Sequence, residues 1–148
     1  MNLKDQINAD LKEAMKSQDK VRLNTIRSIR ALILEFEKSG ANKAISEEDA
    51  IKMLSTAAKK RREAIEQYEN AGRSELAEIE KSELAIIETY LPKQLSEDEI
   101  LTKVKQFAEE IGATSKADFG KMMGVVMQKL KGQADGNVIR KIVEQVLS

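Results

Sequence analysis

Residues 89–100, TYLPKQLSEDEI, decide how this chain is divided. They contain the only proline among 148 residues, Pro92. Proline disfavours helical backbone at the residue before it, so a helix running into Tyr90-Leu91 must stop there. Four residues later, Ser96-Glu97-Asp98-Glu99 has the Ser-x-x-Glu form of a capping box, which opens a new helix. Lys93 to Leu95 is therefore a boundary, and the reading assigns domains to 1–92 and 93–148.

Upstream of this boundary the apolar residues recur at helical spacing. A fourth helix runs from Ser74 through Leu76, Ile79, Leu84 and Ile87, and carries Glu75, Glu78, Glu80, Glu83 and Glu88. Gly72 closes the helix before it. That third helix opens at Ser46-Glu47-Glu48-Asp49, and its apolar face is Met53, Leu54, Ala57, Ala58, Ile65 and Tyr68. Its basic run, Lys59-Lys60-Arg61-Arg62, spreads around the whole helix and has Glu63 and Glu66 as local compensation. The run is read as a solvated surface. The acidic fourth helix complements the basic third, as expected of antiparallel neighbours joined by a short loop. After the short linker Ala41–Ile45 is set aside, the second helix spans Asp19, a plausible N-cap, to Gly40, a stop signal. Arg22 falls in the middle of its apolar stripe and Arg30 near the edge, so each needs a carboxylate; Glu80 and Glu83 are the predicted partners. Leu3, Ile7, Leu11 and Met15 mark a first helix that ends near Ser17.

Downstream, Ile100, Leu101, Val104, Phe107 and Ile111 form a helix that Gly112 terminates. Ser115 and Asp118 then offer caps for a helix through Phe119, Met122, Met123, Val126, Met127 and Leu130, ending at Gly132. Asp135-Gly136-Asn137 supplies turn and cap chemistry for the last helix, with Ile139, Ile142, Val143, Val146 and Leu147 on its apolar face. The fold class that follows is all-α: a four-helix N-terminal domain, then a small three-helix C-terminal domain.

The helix after Asp118 carries an anomaly. Gly120 and Gly124 lie inside it, on one flank of the apolar stripe, and each costs about 1 kcal/mol relative to alanine. Something must approach the backbone there. Tight packing against another helix of the same domain is the first expectation, and a partner is the second. Met122, Met123 and Met127 are read as core filling before partner groove.

Composition excludes more than it offers. Cys and His are both absent. That removes disulfides, Cys/His zinc sites, thiol nucleophiles and imidazole acid–base chemistry. No catalytic constellation, metal site or cofactor site stands out. Aromatics are 3%, too few for base stacking on a sheet platform. Lys plus Arg and Asp plus Glu both total 25, so no global basic field exists. From Gly112 onward, however, six cations face three anions, a local charge of +3. The RNA-binding candidates are accordingly Lys121, Lys129, Lys131, Arg140 and Lys141. Gly120, Gly124, Gly132, Asp135 and Gly136 form a close-approach motif beside them, and the start of the last helix presents N–H groups that could hold a phosphate. No secretory signal or membrane span is apparent, which predicts a cytoplasmic protein.

Phe119-Gly120-Lys121-Met122-Met123-Gly124, followed by Lys131-Gly132-Gln133-Ala134-Asp135-Gly136, resembles the signature of YqeY-like proteins. The same pattern marks the tail domain of GatB, the B subunit of the glutamine-dependent amidotransferase that repairs misacylated tRNA. Met15-Lys16 with Asp19 and Arg22-Leu23, Ala71-Gly72-Arg73, and Tyr90-Leu91-Pro92 fit the free-standing proteins, so the resemblance covers essentially the whole chain. It implies a noncatalytic accessory module that binds tRNA or another structured RNA. The alternative is a protein-interaction module docking on an aminoacyl-tRNA synthetase or amidotransferase. A carbon–nitrogen ligase label would be inherited from relatives whose kinase-like and glutaminase parts are missing here. Gln133 departs from the pattern, where a basic residue is common, and the lost charge weakens the case for a phosphate contact at that position.

Overall fold

The computed structural model describes residues 2–39 and 44–148. Among these residues there are seven α-helices and no strand: α1 Leu3–Ser17, α2 Lys20–Lys38, α3 Glu47–Asn70, α4 Ser74–Glu88, α5 Glu97–Ile111, α6 Phe119–Lys129 and α7 Gly136–Val146. A 3-10 turn, Lys116–Asp118, precedes α6. The chain divides into two compact units between Leu91 and Pro92. No helix among the described residues is long and apolar enough to cross a membrane.

Capping chemistry sets the helix starts. Asn2, Asp19, Ser46 and Ser96 each accept a backbone N–H of the first turn, and at Ser96 the reciprocal bond from its own N–H to Glu99 completes the capping box. Gly72 and Gly112 follow α3 and α5 with φ of 72° and 70°, left-handed backbone that glycine adopts without penalty. The expected stop at Gly40 and most of the 41–45 linker lie outside the described residues. α4 ends at Glu88, earlier than the proline demands. Residues 89–91 wind on in tighter bonds, from Thr89, Tyr90 and Leu91 N–H to the carbonyls of Ile86, Ile87 and Glu88.

In the N-terminal unit, Ile7 of α1, Ile26, Ile29 and Ile33 of α2, Leu54 of α3 and Ile87 of α4 are almost fully buried around one core. Each such side chain contributes about 1.5–3 kcal/mol. The Tyr90 hydroxyl donates to Asp10 and ties the end of α4 to α1. Burial, and then the bonded Asp10 carboxylate, push the phenol above its usual range, so it stays a proton donor.

The ion pairing corrects the sequence reading. Arg22 lies 3.9 Å from Glu13, and Arg30 donates to Asn8 at 3.3 Å; neither meets Glu80 or Glu83. It is Arg61 that takes both glutamates, at 3.5 and 2.9 Å. Arg61 occupies a core-side position of α3 in line with Leu54, Ala57 and Ala58, so it is not part of a solvated run. Burial and repulsion from Glu83 raise the Glu80 carboxyl above its ordinary value, against the opposing pull of Arg61. Lys81 to Glu69, at 3.2 Å, adds a second α3–α4 link.

Candidate functional site

The C-terminal unit closes around Ile100 and Val104 of α5, Met122 and Val126 of α6, and Ile139 and Val143 of α7, all almost fully buried. One turn spacing places Met122, Val126 and Leu130 inward, Phe119 and Met123 pack at the edge of that core, and the opposite arc of α6 faces solvent. On that arc lie Gly120, Gly124 and Met127, and Met127 is 43% exposed.

A side-chain carbon added at Gly120 or Gly124 would meet nothing within 4 Å. The expected tight packing at these two glycines is therefore absent among the described residues. Gly136 is different. It opens α7, and an added carbon there would touch the Met127 Cε at 3.4 Å. Gly132 has φ of 77°, so its role is a left-handed turn after α6. α6 itself ends at Lys129, three residues before that glycine.

The loop between α6 and α7 is held by residues that the sequence did not single out. Gln94 Nε2 donates to the Gly132 carbonyl at 2.6 Å, and the Leu95 N–H donates to the Gln133 carbonyl at 2.9 Å. Because Gln133 serves through its backbone, this support does not depend on its side chain. No local pattern announces such a contact, since the partners are 38 residues apart. Asp135 caps α7, accepting the Asn137 N–H at 2.8 Å. Its carboxylate thus already stands where the proposed phosphate would sit, at the positive end of the helix.

The five candidate cations are not one cluster. Lys121 and Lys129 are both exposed on α6, but Lys129 lies roughly 160° around the helix from the glycine flank. It turns toward α5, 5.1 Å from the Phe107 ring centre and 3.9 Å from Glu110. Lys121 sits close enough to Asp118 to help hold that carboxyl below its ordinary value. The larger cause is the pair of backbone N–H bonds from Thr114 and Ser115. Lys131 is exposed just beyond α6 and is engaged within the chain. Arg140 and Lys141 are exposed on α7, with Glu144 one turn further on. Arg140 follows Gly136 by one turn, and so lies on the side of α7 that meets Met127. The arrangement is a bare glycine–methionine flank with Arg140 and Lys131 at its borders. Lys129 stands apart.

An open depression of about 460 Å³ lies elsewhere in the unit, lined by Lys116, Phe119, Glu144, Leu147 and Ser148. Its one lysine and one glutamate offset each other. Among the described residues no three Asp or Glu side chains gather to hold a metal ion.

Comparison with known proteins gives a family match over residues 4–147, to the model described as Yqey-like protein. Among curated relatives, the Altered inheritance of mitochondria protein 41 of Pyrenophora tritici-repentis is 34% identical over 95% of this chain and 78% of its own length. The proteins of the same name from Meyerozyma guilliermondii and Clavispora lusitaniae are 33% and 34% identical over 69% and 72% of this chain. The matches span only 54% and 63% of those two relatives.

Proposed function

Because the chain belongs to the YqeY-like family, we propose that it is a noncatalytic accessory module whose C-terminal unit binds tRNA or another structured RNA. The observation that carries this reading is the open glycine flank of α6. Two glycines cost that helix about 2 kcal/mol, and nothing among the described residues comes close enough to require them. A ligand backbone approaching the helix would require them. Lys121, Lys131, Arg140 and Lys141 supply the cations for phosphates around that approach. The likeness to the tail of the amidotransferase B subunit points to tRNA as the structured RNA. No amide-forming step is assigned to this chain.

The test separates the fold from the ligand. In the double variant Gly120→Ala/Gly124→Ala the added methyl groups face open space. The melting temperature should rise, in line with up to about 2 kcal/mol of helix propensity. Binding to total tRNA, measured at two salt concentrations, should weaken by tenfold or more. Undiminished tRNA binding in the stabilised variant would remove the flank from the interface.

A second reading is docking on an aminoacyl-tRNA synthetase or amidotransferase. It is favoured by Met127, which is 43% exposed beside the glycines and could adapt to a partner helix. Gly124→Leu should then abolish association with the partner while tRNA binding persists. We place the protein in the cytosol, although its fungal relatives are named as mitochondrial proteins.

A further inference from the structure

The N-terminal unit is electrically divided. Residues 2–39 hold eight Lys and Arg against six Asp and Glu, whereas residues 47–88 hold seven against eleven. The positive half is the α1–α2 pair. Its antiparallel register is set by Lys4–Glu37 at 2.9 Å, Asn8–Arg30 at 3.3 Å and Glu13–Arg22 at 3.9 Å. Two of the carboxylates, Glu13 and Asp10, stand on one side of the seam with Arg22 and Tyr90, and Glu37 is taken up by Lys4.

The other side of the seam carries the cations. Lys12 and Met15 follow Asn8 at one and two turns, and Arg27 precedes Arg30 by one turn, so helical spacing lines them up beside the Asn8–Arg30 bond. Lys16 continues the row from Lys12. Lys12, Lys16, Arg27 and Arg30 are all exposed. Among the described residues, no carboxylate lies within 4.0 Å of Lys12, Lys16 or Arg27, and Arg30 is held only by the Asn8 amide. By contrast Lys129 is engaged by Glu110 and the Phe107 ring, and Lys131 is engaged within the chain. Between these cations sits Met15, 55% exposed.

We propose that this face of the α1–α2 seam, formed by Lys12, Lys16, Arg27 and Arg30 around Met15, is a second phosphate-contact surface for RNA. The inference rests on the RNA-binding reading of the C-terminal unit and extends it to the other half of the chain. Arg27 and Arg30 present planar forks suited to phosphate oxygens, and the lysines act as mobile point charges. Met15 offers a flexible apolar patch for a ribose or base face. The balance of four cations to one apolar side chain fits nucleic acid, whose protein interfaces are more polar and far more positive than protein–protein ones. A protein partner would need a larger apolar or aromatic anchor.

The experiment compares the full-length wild type with Lys12→Gln/Lys16→Gln/Arg27→Gln, binding total tRNA across a salt series. Three lost phosphate contacts should make the slope of log affinity against log salt shallower by about 2–3 and lower the affinity at fixed moderate salt. Circular dichroism should be unchanged, because all three side chains are exposed. A triple variant with wild-type slope and affinity would overturn this inference, and would do so alone if Gly120→Ala/Gly124→Ala still weakens binding. A wild-type chain that binds no RNA at any salt overturns both readings.

Discussion

Arg61 is the residue on which the α3–α4 pairing turns. Its guanidinium lies between two carboxylates that would otherwise repel each other in a half-buried seam. Arg61→Ala should therefore cost about 1–3 kcal/mol in chemical denaturation, mostly from the stranded glutamates rather than from a lost attraction. Adding Glu80→Gln and Glu83→Gln to that variant should restore most of the loss. A triple variant no more stable than Arg61→Ala would show the arginine acting by packing alone. The titrations are opposed in sign. The Glu80 carboxyl is raised by burial, so the folded chain holds that proton more tightly than the unfolded chain; its contribution to stability falls as pH rises from about 4.5 through the raised value. Glu99 is lowered by its bonds with Ser96, and Asp118 by those from Thr114 and Ser115. Their stabilisation is present above the ordinary carboxylate values of 4.5 and 3.8 and disappears as pH falls through the lowered ones. Carbon-detected NMR titration should place the Glu80 midpoint above 4.5, with Glu99 below 4.5 and Asp118 below 3.8. A Glu80 midpoint below 4.5 would mean that Arg61 outweighs desolvation.

At the scale of the element, α5 and α6 use contrasting devices. α5 has a complete capping box, three acidic residues in its first turn and a left-handed glycine after its last. Each of these satisfies end groups or complements the helix dipole. Ser96→Ala should remove about 1 kcal/mol, seen as a lower melting temperature of the C-terminal unit. An unchanged melt would show that the loop bonds from Gln94 and Leu95 hold the start of α5 without the cap. α6 starts instead on a 3-10 turn and includes two glycines facing solvent. Its stability comes from burying Met122 and Val126, and the two glycines of its outer flank add nothing to that burial. A helix so built is stabilised by alanine on the outside and destabilised by any change within. This is the pattern expected where an exposed surface is used for something other than folding.

For the whole molecule, the boundary read at Pro92 rests on local chemistry. A proline restrains its predecessor and a serine caps the turn that follows it; both act within four residues. The same holds for all seven helices, whose periodicity and end signals are short-range. The starts at Asp19, Ser46, Ser74 and Ser96 and the glycine exits at Gly72 and Gly112 could be read directly. The candidate site was legible only as an anomaly, two glycines where alanine would serve better. The pairing of Arg61 rather than Arg22 with Glu80 and Glu83 was not legible. Both arginines lie on apolar faces, and only the rotation of α3 against α4 brings one of them within reach. The scatter of Lys129 away from Arg140, and the bare cations of the α1–α2 seam, were hidden for the same reason. The amino-acid sequence by itself determined which segments are helices and where most of them begin. Only the tertiary structure decided which charges are neutralised and which flanks stay open, because those depend on helix rotation and register, which the packing of side chains far apart in the chain selects.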